Sequence, residues 1–208
     1  MSIRHAALFV VLSLCAPPVT DGAVTGWTDV VVRVYDANGV ITGTNRAALE
    51  YARKTLEAAS IDVIWRMCAT PRVCNAPMAP GELAIRIVRS PEPRRYDGWL
   101  PLGDAMLEPR SGTGVLATIY MDRVERLARE AGTDGRLLLG RTIAHELGHL
   151  LLATTNHGPV GLMRAFWSHE EVRRGHPRDW NFAPGELAAM RRRAEARQRD
   201  ASLAWGTK

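Results

Sequence analysis

The strongest chemical signature in this sequence is the run His145-Glu146-Leu147-Gly148-His149. The stretch Arg136–Leu152 around it is mostly helix-forming and apolar, and histidines four positions apart on a helix stand one above the other on one face. Two imidazoles so placed can take two corners of a tetrahedral Zn2+ site, and the glutamate between them can take a proton from water held at the metal. With 6 histidines in 208 residues, about one shuffled chain in a hundred would carry the pattern by chance. A solvated polar stripe is the plainer alternative. Against it, Ile143, Ala144, Leu147, Leu150, Leu151 and Leu152 enclose the motif. Charge buried among such residues is costly without a partner, and a metal is the natural one.

A zinc site of this kind needs a third protein ligand. His157, eight residues beyond His149, is the leading candidate. On an unbroken helix it would stand about 12 Å further along the axis, too far to share a metal bound at roughly 2.1 Å. The helix must therefore break and the chain turn back. Thr154-Thr155-Asn156 before Gly158-Pro159 supplies residues suited to that break, with Asn156 tolerating a left-handed conformation. Glu170 and Glu171 are rivals, about twenty residues after His149, where thermolysin-like zincins place a glutamate ligand; His169 and His176 are further options.

HELGH, the downstream histidine and Gly161-Leu162-Met163 together resemble the metzincin metallopeptidases, whose pattern is HExxHxxGxxH followed by a methionine turn beneath the metal. The resemblance implies His145 and His149 as zinc ligands, Glu146 as general base and Met163 as the Met-turn residue. Its specific part is His145 to Met163; more loosely it covers Thr28 to Trp167. Leu152 stands where metzincins have the turning glycine, and Thr155 where they have the third histidine, so His157 is displaced by two residues. The implied activity is hydrolysis of peptide bonds, with a peptide or protein as substrate and Val115–Tyr120 as the sheet edge above the cleft. A zinc hydrolase acting on a non-peptide amide, and a non-catalytic zinc-binding protein on the same scaffold, are the alternatives. Glu146 argues against the last, because a purely structural site needs no base. Trp99, Trp167 and Trp180 are candidates for lining a pocket or for packing.

The elements that must position these residues follow from periodicity and turn signals. Thr28–Tyr35, Ile61–Trp65, Leu83–Val88 and Val115–Met121 have strand character, with a short strand near Ala105 inside the Pro-, Gly- and Arg-rich stretch from Ser90 to Gly114. Helices are expected from an Asn45 cap to about Ala59, from an Asp122 cap to about Ala131, after an Asp134 cap over Arg136–Leu152, and from Gly185 to about Arg199. The expected fold is α+β and zincin-like. It has a twisted mixed sheet of about five strands, an active-site helix, and a small, mostly irregular C-terminal part ending in a helix.

Residues 1–22 read as a signal peptide: Arg4 and His5, the apolar run Ala6–Leu14, then Pro17, Pro18 and small residues. The protein is expected to be secreted or periplasmic, with one catalytic domain over 23–208. A lipid anchor through Cys15 is disfavoured because Leu14 occupies a position that wants a small residue. The first strand begins soon after the expected cleavage point, so no long propeptide is expected. Cys68 and Cys74 then remain as an even pair in an exported chain, which favours a disulfide. Pro71-Arg72-Val73-Cys74-Asn75 loosely echoes the cysteine switch of latent matrix metalloproteases, but Cys68 is a ready partner. The Ala6–Leu14 run is too short to span a bilayer. A net charge of +5, almost all from arginine, is weak ground for a nucleic-acid partner. None is expected, and a monomer is.

Overall fold

Strand β1 (Thr28–Asp36) alternates by the period of two that pleating imposes: Val30, Val32 and Val34 are buried on its inner side. It lies near the middle of a five-stranded sheet with β2 (Ile61–Met67), β3 (Leu83–Val88), β4 (Gly103–Leu107) and β5 (Gly114–Tyr120), in the order β2-β1-β3-β5-β4. The first four strands in that order are parallel, and β4 runs antiparallel to β5 at the edge. This computed structural model describes residues 26–36, 39–41, 43–68, 70, 73–89, 100–108 and 113–206. The expected signal peptide, Cys15 and Trp99 lie outside the described residues. No helix among them is long and apolar enough to cross a membrane. The architecture is the expected α+β arrangement, with one correction: β5 is interior to the sheet, and the edge strand on that side is β4, with β2 at the other edge.

One buried charge holds the sheet's outer face. Arg33 points away from the valines yet is only 3% exposed. Its guanidinium donates to Glu82 and to the carbonyls of Ala76 and Pro77 at 2.7–2.9 Å, so every arm is satisfied. The Cys68–Cys74 disulfide closes the preceding loop, with Cα atoms 5.5 Å apart. Cys74 thus has no free thiol to serve as a latency switch.

Helices α1 (Ala47–Glu57), α2 (Met121–Ala131) and α3 (Gly135–Leu152) share one core with the sheet's inner face. Their caps differ in part from expectation. Asn45 sits in a short 3-10 turn and donates to the Val40 carbonyl rather than capping α1. Helix α2 starts at Met121 with Tyr120 as its cap residue, so Asp122 falls inside the first turn. Asp134 does cap α3, accepting from Arg136 N at 2.8 Å. Helix α3 is buried along nearly its whole length from Leu138 to Leu151. The stretch read as irregular contains α4 (His169–Arg174), nucleated by a capping box between Ser168 and Glu171. Helix α5 (Pro184–Gly206) closes the chain, longer than expected. Its Arg197 donates to the carbonyls of Gly114 and Leu150, relieving one of the carbonyls that the end of α3 leaves unpaired.

The break in α3 falls at Ala153, in the left-handed region at φ 49°, rather than at Asn156. The turning residue stands one position after Leu152, where the resemblance led to the expectation of a glycine, and it is not a glycine. A left-handed alanine costs about 1 kcal/mol relative to glycine, partly offset by glycine's freedom in the unfolded chain. Ala153→Gly is therefore expected to stabilise the fold by about 0.5 kcal/mol. Urea titration of the two proteins checks this, and a less stable variant would contradict it.

Candidate metal centre

His145 and His149 project from α3 and are 7% and 5% exposed. Each ring is held at its far nitrogen by a backbone carbonyl: His145 Nδ1 lies 2.8 Å from Leu162 O, and His149 Nδ1 2.7 Å from Thr154 O. A carbonyl can only accept, so each Nδ1 carries the proton and each Nε2 is left with a lone pair. Those two nitrogens stand 3.1 Å apart, and His157 Nε2 lies 3.3 Å from that of His149. Ligand nitrogens of all three histidines fall within 4.8 Å of one another. Tetrahedral zinc with bonds near 2.1 Å would set its nitrogens about 3.4 Å apart. Facing lone pairs at this separation repel unless a cation lies between them, so the donor set fits zinc.

Electrostatics agree with that chemistry. Burial lowers the His145 pKa to about 3, and burial also pulls His149 and His157 below the ordinary imidazole value. The rings are neutral at pH 7, the form that binds a metal.

The path to His157 explains why a displaced histidine still arrives. After Ala153 the chain reverses, Asn156 N donates to Thr154 Oγ1 and Gly158 N to the Met163 carbonyl. Gly161, at φ +77°, turns the chain beneath α3, and a side chain there would meet Asn181 O at 2.6 Å. Leu162 then presents its carbonyl to His145, and Met163, 1% exposed, packs against Gly148. A Cβ on Gly148 would stand 2.7 Å from the Met163 sulfur, so a side chain there would collide with this contact.

The rival ligands are engaged elsewhere. Glu171 completes the α4 capping box and pairs with Arg164. Glu170 pairs with Arg173 and Arg174 on the surface. His169 bonds Glu130 at 2.9 Å, and His176 accepts from Arg178 N. Among the described residues only His145, His149 and His157 gather as a possible metal-binding group.

Glu146 is 4% exposed and borders a cleft of about 720 Å³. Burial first, and then the Asp104 charge, push its carboxyl up to about 8. A dication beside it would draw that value down again. The cleft lies between the edge strand β4, helix α2 and the segment 164–167, and His145, His149 and His157 line it. Trp167 lines it too, its ring edge-on to His145 with centroids 5.4 Å apart. Trp180 is instead packed between Trp167 and the Arg141 guanidinium, 3.8 Å above its ring.

The sequence did not single out Gly103, at the start of β4. A Cβ there would lie 2.7 Å from Glu146 Cγ, Glu146 Oε1 and Thr118 O. The strand can lie over the glutamate only because this residue has no side chain. Its one signal was a glycine in a strand-like stretch, which marks close approach. If Glu146 serves as the base of a hydrolase, Gly103→Ala is expected to lower turnover by about 10- to 100-fold by displacing it. Zinc content should be unchanged, so metal analysis beside a rate assay checks it. Unaltered turnover would show that Glu146 is not held by this contact.

No family model matches the chain, and no curated protein matches it in sequence. Among solved structures it is similar to archaemetzincin from Methanopyrus kandleri, with TM-score 0.49 and 15% identity over 81% of this chain and 96% of that one. It is also similar to the GM1-bound form of the ECX AB5 holotoxin, with TM-score 0.45 and 14% identity over 80% of each chain.

Proposed function

We propose that the protein is an exported zinc metallopeptidase that cleaves internal peptide bonds, its residues 1–22 being a signal peptide and 23–208 one catalytic domain. The observation that carries this reading is the convergence of three imidazole nitrogens, two of them with the opposite nitrogen tied to a carbonyl. A purely structural zinc site is normally closed by a fourth protein ligand, whereas here the three histidines border an open cleft beside a carboxylate.

His145, His149 and His157 would hold the metal. Zinc bound there would supply a Lewis acid that polarises the scissile carbonyl and acidifies a water molecule. Glu146 takes the proton from the attacking water at a carboxylate oxygen and delivers it to the leaving amine nitrogen. A dication held by the three histidines would favour the ionised carboxylate, the form that can accept this proton. The Leu162 and Thr154 carbonyls keep the two imidazoles aimed, and Met163 supports α3 from below.

Cleavage of a peptide library by the purified mature protein tests the reading, with a chelator and with re-addition of zinc. Chelator-sensitive cleavage restored by zinc is the expected result. A folded, zinc-loaded protein that cleaves no peptide but hydrolyses another amide would replace it with the non-peptide alternative.

A further inference from the structure

Strand β2 forms the sheet edge opposite β4, on the far side from the cleft. Thr28 N donates to Ser60 O, and Cys68 N to Val34 O. Successive residues of a strand turn their peptide groups to opposite sides. The even-numbered residues of β2 therefore face β1, and Ile61, Val63, Trp65 and Met67 turn their N–H and C=O groups outward. No described strand pairs with them. The usual protections of such an edge are missing: the strand has no proline and no lysine, and its register with β1 runs without a bulge. Its outer face carries Asp62, Ile64 and Arg66, each about half exposed. The charges change sign about Ile64. On one side Asp62 stands beside Asp29 of β1, and Arg53 is shared among Glu50, Glu57 and Asp62, the last at 3.6 Å. On the other side Arg66 stands beside Arg33, and Glu82 is shared between those two. One end of the edge is acidic and the other basic.

We infer that the chain forms a two-fold dimer by antiparallel pairing of β2 with β2 of a second copy, centred on Ile64, in place of the monomer expected from the sequence. A two-fold axis reverses one strand against the other. Outward peptide groups meet only in registers that set odd residues against odd ones. Of these, the register centred on Ile64 places Asp62 of each copy opposite Arg66 of the other, acidic end along basic end. Val63 and Trp65 then exchange N–H···O=C bonds across the interface. The Asp62–Arg66 and Ile64–Ile64 pairs take the non-hydrogen-bonded positions, where side chains approach most closely. Trp27, just ahead of β1, and Val73, after β2, are each 60% exposed and add apolar surface at the two ends. An unrelated extended segment would find the same peptide groups, but a copy of this strand matches its charge order residue for residue. Both clefts stay at the outer edges of the joined sheet, so the inference is independent of the peptidase reading.

Sedimentation equilibrium of the purified mature protein over about 1–100 µM should give the mass of two chains at the upper end. Ile64→Lys sets two ammonium groups on the axis and should weaken association about tenfold or more. Its side chain is half exposed, so circular dichroism should show the fold intact. Cysteine substitutions locate the axis and change the strand less. In a non-hydrogen-bonded antiparallel pair the Cα atoms are about 4.5 Å apart, within the span of a disulfide. Oxidised Ile64→Cys should therefore link two chains. Asp62→Cys should not link to itself, because its copy lies four residues further along, about 14 Å away. Mixed with Arg66→Cys, it should link. A single-chain mass at every concentration overturns the inference. So does a dimer that Ile64→Lys leaves intact, or one that links through position 62 as readily as through 64.

Discussion

Glu146→Gln is expected to lower hydrolysis by about 10³-fold or more while making the metal-free protein more stable. The two effects share one cause. The carboxyl is almost fully buried, and burial pushes its folded pKa up to about 8 from the ordinary 4.5. For an acid whose folded pKa is raised, the unfolded chain ionises first. Stability is therefore full below about pH 4.5 and falls as pH rises toward 8, where the folded protein ionises too. At pH 7 the loss is about 3 kcal/mol, an order-of-magnitude figure. Glutamine has the same shape and cannot ionise, so it removes that dependence. Urea unfolding of the chelated proteins from pH 5 to 8 measures it: the three histidines, with their lowered pKa values, act on both proteins alike, so the stability of the variant relative to wild type should increase as pH rises. A stability gap that did not widen with pH would show that Glu146 is not held in a water-poor site. Turnover equal to wild type would remove it as the base.

The histidine pair and its glutamate were legible because a helix converts spacing into geometry locally. Four residues make one turn, Asp134 marks the start, and the apolar residues around the motif announce burial. Met163 was legible only through resemblance, since a buried methionine has no signature of its own. What lay hidden depends on contacts between distant segments. The interior place of β5 follows from β4 pairing beyond it; the short strand near Ala105 was expected, but its pairing partner was not readable within the Pro- and Gly-rich stretch around it. The turn at Ala153 was hidden because alanine gives no left-handed signal. Contacts of the next residues hold it there: the Thr154 carbonyl is bound to His149, and Gly158 is bound to Met163. Gly103 shows the same limit, for its importance lies in Glu146, forty-three positions away.

His157→Ala is expected to weaken zinc binding by about 10³-fold, while Glu170→Gln and Glu171→Gln leave it unchanged. Structural zinc sites bind with about 10–16 kcal/mol from four ligands, so one lost nitrogen is worth roughly 3–4 kcal/mol, or two to three powers of ten. The comparison is clean because His157 is solvent-exposed, unlike His145 and His149. Removing it creates no core cavity, so a change in affinity reports on the metal rather than on folding. Glu171→Gln makes the converse control: it disturbs the capping box and the pair with Arg164. It should therefore cost about 1 kcal/mol of stability with no loss of metal. Competition against a chromophoric chelator gives the affinities, and thermal melts of the metal-free proteins give the stabilities. If zinc affinity fell with Glu171 and not with His157, the third ligand would be the glutamate. The segment 153–163 would then have to reorganise on binding, since Glu171 is now spent on Ser168 and Arg164. With His157 as ligand no such movement is needed, because its nitrogen already stands 3.3 Å from that of His149, close to the separation zinc imposes.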